Sequence, residues 1–338
     1  MTVQNEKLPK ELFQPAEVDV TKSEKIAKPS LTYWQDAWLR LRKNKAAIVG
    51  IFFIFVIIFL CIFGPMFNHH GIDDQNLRHA KLPPKVPVLE NVSWLGLNGV
   101  DTMGNDAYEM KGVDEYYWFG TDGLGRDLWT RTWEGTRISL YIALVAAAID
   151  MLIGVAYGGI SAYYGGRVDN VMQRIVEILV GIPNLVVVIL MILILDPGLT
   201  SIIIALTITG WIGMSRIVRG QVLKLKNQEF VLASRTLGAI DSRILTKHLI
   251  PNVAGVIIIN SMFTIPGAIF FEAFLSFIGL GLQPPLSSLG ILIEDGYKSL
   301  QTYPHMMAFP SIIMCVLMIA FNLVADGLRD ALDPKMRD

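Results

Sequence analysis

Long apolar runs separated by polar stretches set the plan of this chain. The run at residues 46–66 is apolar almost throughout and meets the ~20 residues a helix needs to cross a hydrocarbon core. Further runs follow at 138–163, 172–195, 201–214, 253–278 and 306–324, so the pattern predicts an all-α protein with six spanning helices. The fourth run is short, and its helix is expected to reach Val218 with Arg216 snorkelling outward. Pro183 is expected to kink the third span, and Pro266-Gly267 to interrupt the fifth. The second span is rich in small residues, and Gly154-x-x-x-Gly158 allows another helix to approach closely.

The polar stretches assign sides. Residues 1–30 carry both charges without periodicity and read as a disordered tail. No apolar segment starts near Met1, so no cleavable signal peptide is expected. In 31–45, Leu31, Trp34, Trp38 and Leu41 share one helical face, while Arg40, Arg42, Lys43 and Lys45 crowd the end. That is an interfacial helix lying on the bilayer. Its basic end puts the N-terminus in the cytoplasm, which leaves 67–137 as an external loop with an irregular insert at 81–115. Seven basic residues between Arg216 and Lys247 place that loop inside again, and the tail 326–338 also returns inside. The compact core of five spans is 138–325.

Composition agrees: 52% of the 338 residues are hydrophobic and 17% charged, which is too apolar for an ordinary soluble domain. A net charge of -1 implies no nucleic acid partner. Cys61 and Cys315 lie in apolar runs, against a disulfide framework or zinc site. His69-His70 reads as a solvated loop pair, and no metal, catalytic or cofactor-binding set stands out. Neither His-Glu-x-x-His nor Gly-x-Ser-x-Gly occurs. Gly120 to Gly125 has the spacing of a phosphate loop, but Arg126-Asp127 stands where Lys-Ser/Thr belongs. Asp150 and Glu272 lie inside spans. Intramembrane carboxylates are rare without a purpose, so both are candidates for a path through the bundle or its gate, with structural hydrogen bonding an equal alternative. Arg174 and Glu177 are spaced to pair locally.

The loop 220–252 holds the most organised polar stretch, an elbow of two short helices at 229–252. Phe230, Ala233 and Leu237 share an apolar face. Gly238 can stop the first helix in the left-handed conformation, Asp241 sits where an N-cap belongs, and Pro251 ends the second piece or begins the next run. A bent amphipathic pair is a shape that another protein can grip. The residues expected to dock that partner are Glu229, Phe230, Ala233, Ser234, Leu237, Gly238, Ala239, Asp241 and Ile244.

Leu232-Ala233-Ser234, Gly238 and His248-Leu249-Ile250-Pro251 resemble the "EAA" loop of ABC-importer permeases. Leu232 stands for the family's Glu, Ser234 for its second Ala and His248 for its Ile. Gly120–Asp127, 271–285 and 320–335 resemble further segments of the same family, in the same order. Together they resemble the C-type permease subunit of oligopeptide/dipeptide ABC importers. The resemblance implies a type I importer permease fold in a bacterial plasma (inner) membrane, with both termini cytoplasmic. It implies a second permease subunit as heterodimer partner, two cytoplasmic ABC ATPases that bind ATP and Mg, and an external or periplasmic peptide-binding protein. Nickel importers share this permease family. A self-contained channel or ion-coupled carrier is the alternative of another class.

Overall fold

The computed structural model describes residues 32–87, 89–92 and 96–332. The expected tail at 1–30, Leu31, and the part of the expected tail 326–338 from residue 333 onward lie outside the described residues. Helix α1 is Tyr33–Lys43 and α2 is Lys45–Phe63, extended by one tight turn at Gly64–Met66. Trp34 and Trp38 are exposed while Leu41 turns inward with Ala37. Leu41 therefore leaves the expected tryptophan face and packs on Ala47 and Ala331. Most of α2 shows its apolar side chains outward, Phe52 and Phe55 among them. An all-round apolar helix of that kind suits lipid.

The segment after α2 is irregular but packed. It holds a single turn at Leu77–His79 and the five-residue helix α3, Ala107–Lys111. Leu82, Ala107, Tyr108, Val113 and Tyr117 form its small core, and Tyr108 donates to the Pro83 carbonyl at 2.8 Å. His70 is not simply solvated, for its ring stacks on Tyr117 with centroids 4.4 Å apart.

Helix α4 is Leu128–Tyr164, 37 residues long, or roughly 55 Å at 1.5 Å per residue. It starts well before the expected 138, so the preceding loop ends at Asp127. Asp127 caps it through the Thr130 amide at 2.8 Å. The first turns looked like loop because they carry Arg131, Glu134 and Arg137. Arg131 is nevertheless buried, neutralised by Asp122 at 2.9 Å.

The expected third span is broken. Helices α5 (Gly166–Val180) and α6 (Asn184–Leu195) meet at 81°. Pro183 cannot donate to the α5 ladder and instead opens α6, accepting from the Val186 amide at 2.9 Å. Among the described residues, five helices are long and apolar enough to cross a membrane, or up to six if the bent pair counts as one span. Helix α7, Leu199–Leu225, outruns the expected span at both ends.

Helix α8 (Glu229–Thr236) and the one-turn α9 (Asp241–Arg243) form the elbow. A wider, π-helical stretch at Ile244–Leu249 leads from α9 into α10, Ile250–Leu275. Asp241–Leu280 is thus one continuous 40-residue helical run. Of the two expectations for Pro251 the second holds: it stands in the first turn of α10 and so begins the next run rather than ending the elbow's second piece, and Asn252 Nδ2 beside it donates to the His248 carbonyl at 2.6 Å. Pro266 sits inside α10 without interrupting it, and the run breaks only at Gly279, where φ is +83°. The loop expected at 279–303 contains a further helix, α11, Leu289–Lys298. Helix α12, His305–Leu332, continues past the expected 324.

Helix α4 is the centre of the bundle, packed most extensively on α7 and also on α10. The close approach needs glycine: a Cβ on Gly158 would lie 2.2 Å from the Ser215 carbonyl oxygen, and one on Gly154 2.6 Å from Met214 Cβ. One core cluster gathers Trp133, Leu140, Ile269, Leu289 and Leu317. A second, toward the elbow, gathers Tyr163, Val218, Val222, Val231, Ile244 and Leu249.

Candidate functional site

The elbow projects from α7 and α10 and is covered on one side only. Val231 and Ile244 are fully buried against Val218, Val222 and Tyr163. The face expected from Phe230, Ala233 and Leu237 is the opposite one, and it is exposed. Leu237 is 88% exposed and Ile240 68%, with Phe230 and Leu232 beside them. These open apolar groups are clustered on a two-helix projection, an exposed patch of the kind that the partner-docking expectation calls for. Gly238 turns the corner at φ +80°, a conformation that a residue with a Cβ resists.

Asp241 does not cap the second helix. Ile240 holds the capping position, and Asp241 lies one residue inside. Its carboxylate accepts instead from the Tyr163 hydroxyl at 2.6 Å. Glu229 lies in the first turn of α8, exposed. Ser234 bonds back to the Phe230 carbonyl at 2.8 Å, and Ala239 packs against the elbow-side core.

The two intramembrane carboxylates lie apart from the elbow and from each other. Glu272 is fully buried, accepting from Ser139 Oγ and Ser276 Oγ, each at 2.8 Å. Ser139 Oγ in turn accepts from the Leu289 amide at 3.2 Å. Glu272 therefore ties α4, α10 and α11 together. Asp150 is packed against α7 where Gly210 leaves room; a Cβ there would lie 2.1 Å from Asp150 Oδ2. Its Oδ1 has no hydrogen-bond partner among the described residues.

Two polar clusters escaped the sequence reading. At the elbow end, Arg219 grips Asp169 with Nε at 2.7 Å and Nη2 at 2.6 Å; the local pair expected of Arg174 and Glu177 also forms, at 2.7 Å on the surface. At the far end, Asp122 is buried between Arg126 at 2.7 Å and Arg131 at 2.9 Å. Its other oxygen accepts from the Leu124 and Arg126 amides. The 120–127 segment is thus a self-braced turn. Its signal was the Asp-x-x-x-Arg spacing with a second Arg one helical turn on. Beside it lies a cavity of about 180 Å³, walled by Arg126, Arg131, Pro285, Ile291 and Asp295. Burial, and then the charge of Glu294, hold the Asp295 carboxyl above the usual range.

Fold and site together define a polytopic, all-helical membrane component with a one-sided apolar handle. A family model described as binding-protein-dependent transport system inner membrane component matches residues 151–338. Another, the N-terminal TM domain of oligopeptide transport permease C, matches 32–84. The chain belongs to the binding-protein-dependent transport system inner membrane component family. It is 48% identical over 330 residues to the oligopeptide transport system permease protein OppC of Bacillus subtilis, covering 98% of this chain and 99% of that one. It is 45% identical over 335 residues to the dipeptide transport system permease protein DppC of the same organism, covering 99% and 96%. Among solved structures, an inward-facing MetNI methionine ABC transporter chain aligns with a TM-score of 0.48 at 21% identity, over 60% of this chain and 94% of that chain.

Proposed function

We propose that this chain is one permease subunit of an ATP-driven importer of oligopeptides or dipeptides, with a type I permease fold, and that the elbow is where cytoplasmic ATPases take hold. The observation that carries this is the elbow's asymmetry. Val231, Ile244 and Leu249 lock it to the bundle, while Phe230, Leu232, Leu237 and Ile240 stand open. A handle must be rigid on one side and sticky on the other. The oligopeptide and dipeptide permeases among the relatives support the peptide cargo. Nickel or another small solute is the second reading of cargo.

The partners in this reading are a second permease subunit, two ATPases that bind ATP and Mg, and an external binding protein that delivers the peptide. The ATPases close on ATP, the elbow moves with them, and the spans switch between two packed arrangements. Both termini are cytoplasmic, because the basic residues of α1 and of the 216–247 loop lie on the elbow side. Glu272 belongs to the moving helices as an internal tie, and Asp150 is packed into the space that Gly210 leaves; a place on the path for either needs the partner's helices to uncover it. The test is purification of the chain from its native membrane. Co-purifying ATPases, and their loss in Leu237→Asp with the permease still inserted, support the reading. ATP-independent transport by the chain alone would favour a carrier.

A further inference from the structure

We propose that Tyr163, at the inner end of α4, is a second attachment point of the elbow, and that α4 carries the elbow's motion to the opposite face. This rests on reading the elbow as the ATPase handle. The covalent routes out of the elbow lead to α7 and α10 only. Tyr163 belongs to neither, yet both arms of the elbow converge on its hydroxyl. That hydroxyl donates to Asp241 Oδ1 at 2.6 Å and accepts from Arg235 Nη2 at 3.3 Å. The Arg235 guanidinium also lies over the Tyr163 ring, 5.7 Å from its centroid. Arg235 comes from α8 and Asp241 from α9, on either side of the Gly238 corner. The ring is buried among Val218, Val222, Val231 and Ile244. One residue earlier, the Ala162 carbonyl accepts from Lys226 Nζ at 2.7 Å.

The far end of the same helix is anchored just as firmly. Ser139 joins Glu272 to the first amide of α11. Arg131 reaches Asp122, and also Ser287 at 3.5 Å. Between Ser139 and Tyr163 the helix is unbroken, a rod of roughly 36 Å at 1.5 Å per residue. A displacement of the elbow that keeps the Tyr163 bonds must therefore shift Ser139 and the base of α11 with it. Tyr163 acts as a positioning residue.

The experiment uses the complete reconstituted transporter, with Lys298→Cys in a Cys315→Ser background carrying an environment-sensitive fluorophore on α11. Tyr163→Phe keeps the ring and removes the hydroxyl. Expected are wild-type retention of the ATPases and hydrolysis within about twofold, while peptide imported per ATP falls about tenfold and the fluorophore's response to ATP is lost (a tenfold change corresponds to about 1.4 kcal/mol). Asp241→Ala should reproduce the loss in import per ATP. Asp241→Asn, which keeps an oxygen for the tyrosine, should restore it, and Tyr163→Phe/Asp241→Ala should be no worse than either alone. Import per ATP and an α11 response within twofold of wild type, with the ATPases retained, would overturn the proposal. Absence of ATPases from the unsubstituted complex would instead sink the handle reading, and this inference with it.

Discussion

Gly158→Ala tests the claim that α4 and α7 form the rigid centre of the bundle. The new Cβ would fall 2.2 Å from the Ser215 carbonyl oxygen and 3.0 Å from the Arg219 amide nitrogen. Both are helix backbone atoms, so neither can swing aside. Restoring an ordinary contact of ~3.5 Å forces the helices apart by about 1 Å, and overpacking of this kind costs about 1–3 kcal/mol. The control is Gly220→Ala on α7, whose Cβ meets nothing within 4 Å. Alanine gains up to about 1 kcal/mol of helix propensity at either position, so the difference between the two variants isolates the overpacking. Thermal unfolding of the purified protein in detergent, followed by tryptophan fluorescence, reads that difference. Gly220→Ala should melt at or above wild type and Gly158→Ala several degrees below it. Equal midpoints, or a higher one for Gly158→Ala, would refute the close α4–α7 contact.

Asp122→Asn should destabilise the protein by about 3–5 kcal/mol, because it leaves Arg126 and Arg131 buried without their counter-charge; a wild-type denaturation midpoint would contradict this. Val231→Ala removes two buried methyl groups from the elbow's inner face, about 2 kcal/mol by area, whereas Leu232→Ala on the open face should barely change stability. Asp295→Asn should stabilise at neutral pH. The wild-type carboxylate, facing Glu294, Lys298, Asp122 and Arg126, is costly to ionise there, so the gain should shrink as falling pH protonates it through its raised pKa. A gain that grows toward acid pH would reverse that assignment.

The apolar runs made most spans legible, since a bilayer-spanning helix writes its length directly into composition. Boundaries went astray where charge is internal. Arg131 looked like loop because its partner Asp122 is distant enough in sequence to escape notice, and Asp169 and Arg219 are fifty residues apart. Helix α11 was missed although Ser288 caps it and Lys298 ends it; its apolar stretch is too short to separate from a loop. The elbow was recognisable as a bent pair, but its orientation was not. Both its faces are apolar, one for the bundle and one exposed, and a periodic pattern cannot say which is already covered. The third span illustrates a related limit: Pro183 signalled a kink, while the 81° angle depends on how α6 seats against α7, where Thr209 donates to Asn184 at 2.6 Å.

The central claim is that the open face of the elbow is gripped by an ATPase. Leu237→Cys in a Cys315→Ser background, treated in intact membranes with a short thiol-to-amine crosslinker, tests it directly. The account predicts one dominant adduct between this chain and an ATPase subunit, weakened or strengthened when ATP is added. A cysteine at 237 that reacts with a membrane-impermeant reagent from outside the cell, or that joins no partner in an actively transporting membrane, would contradict it.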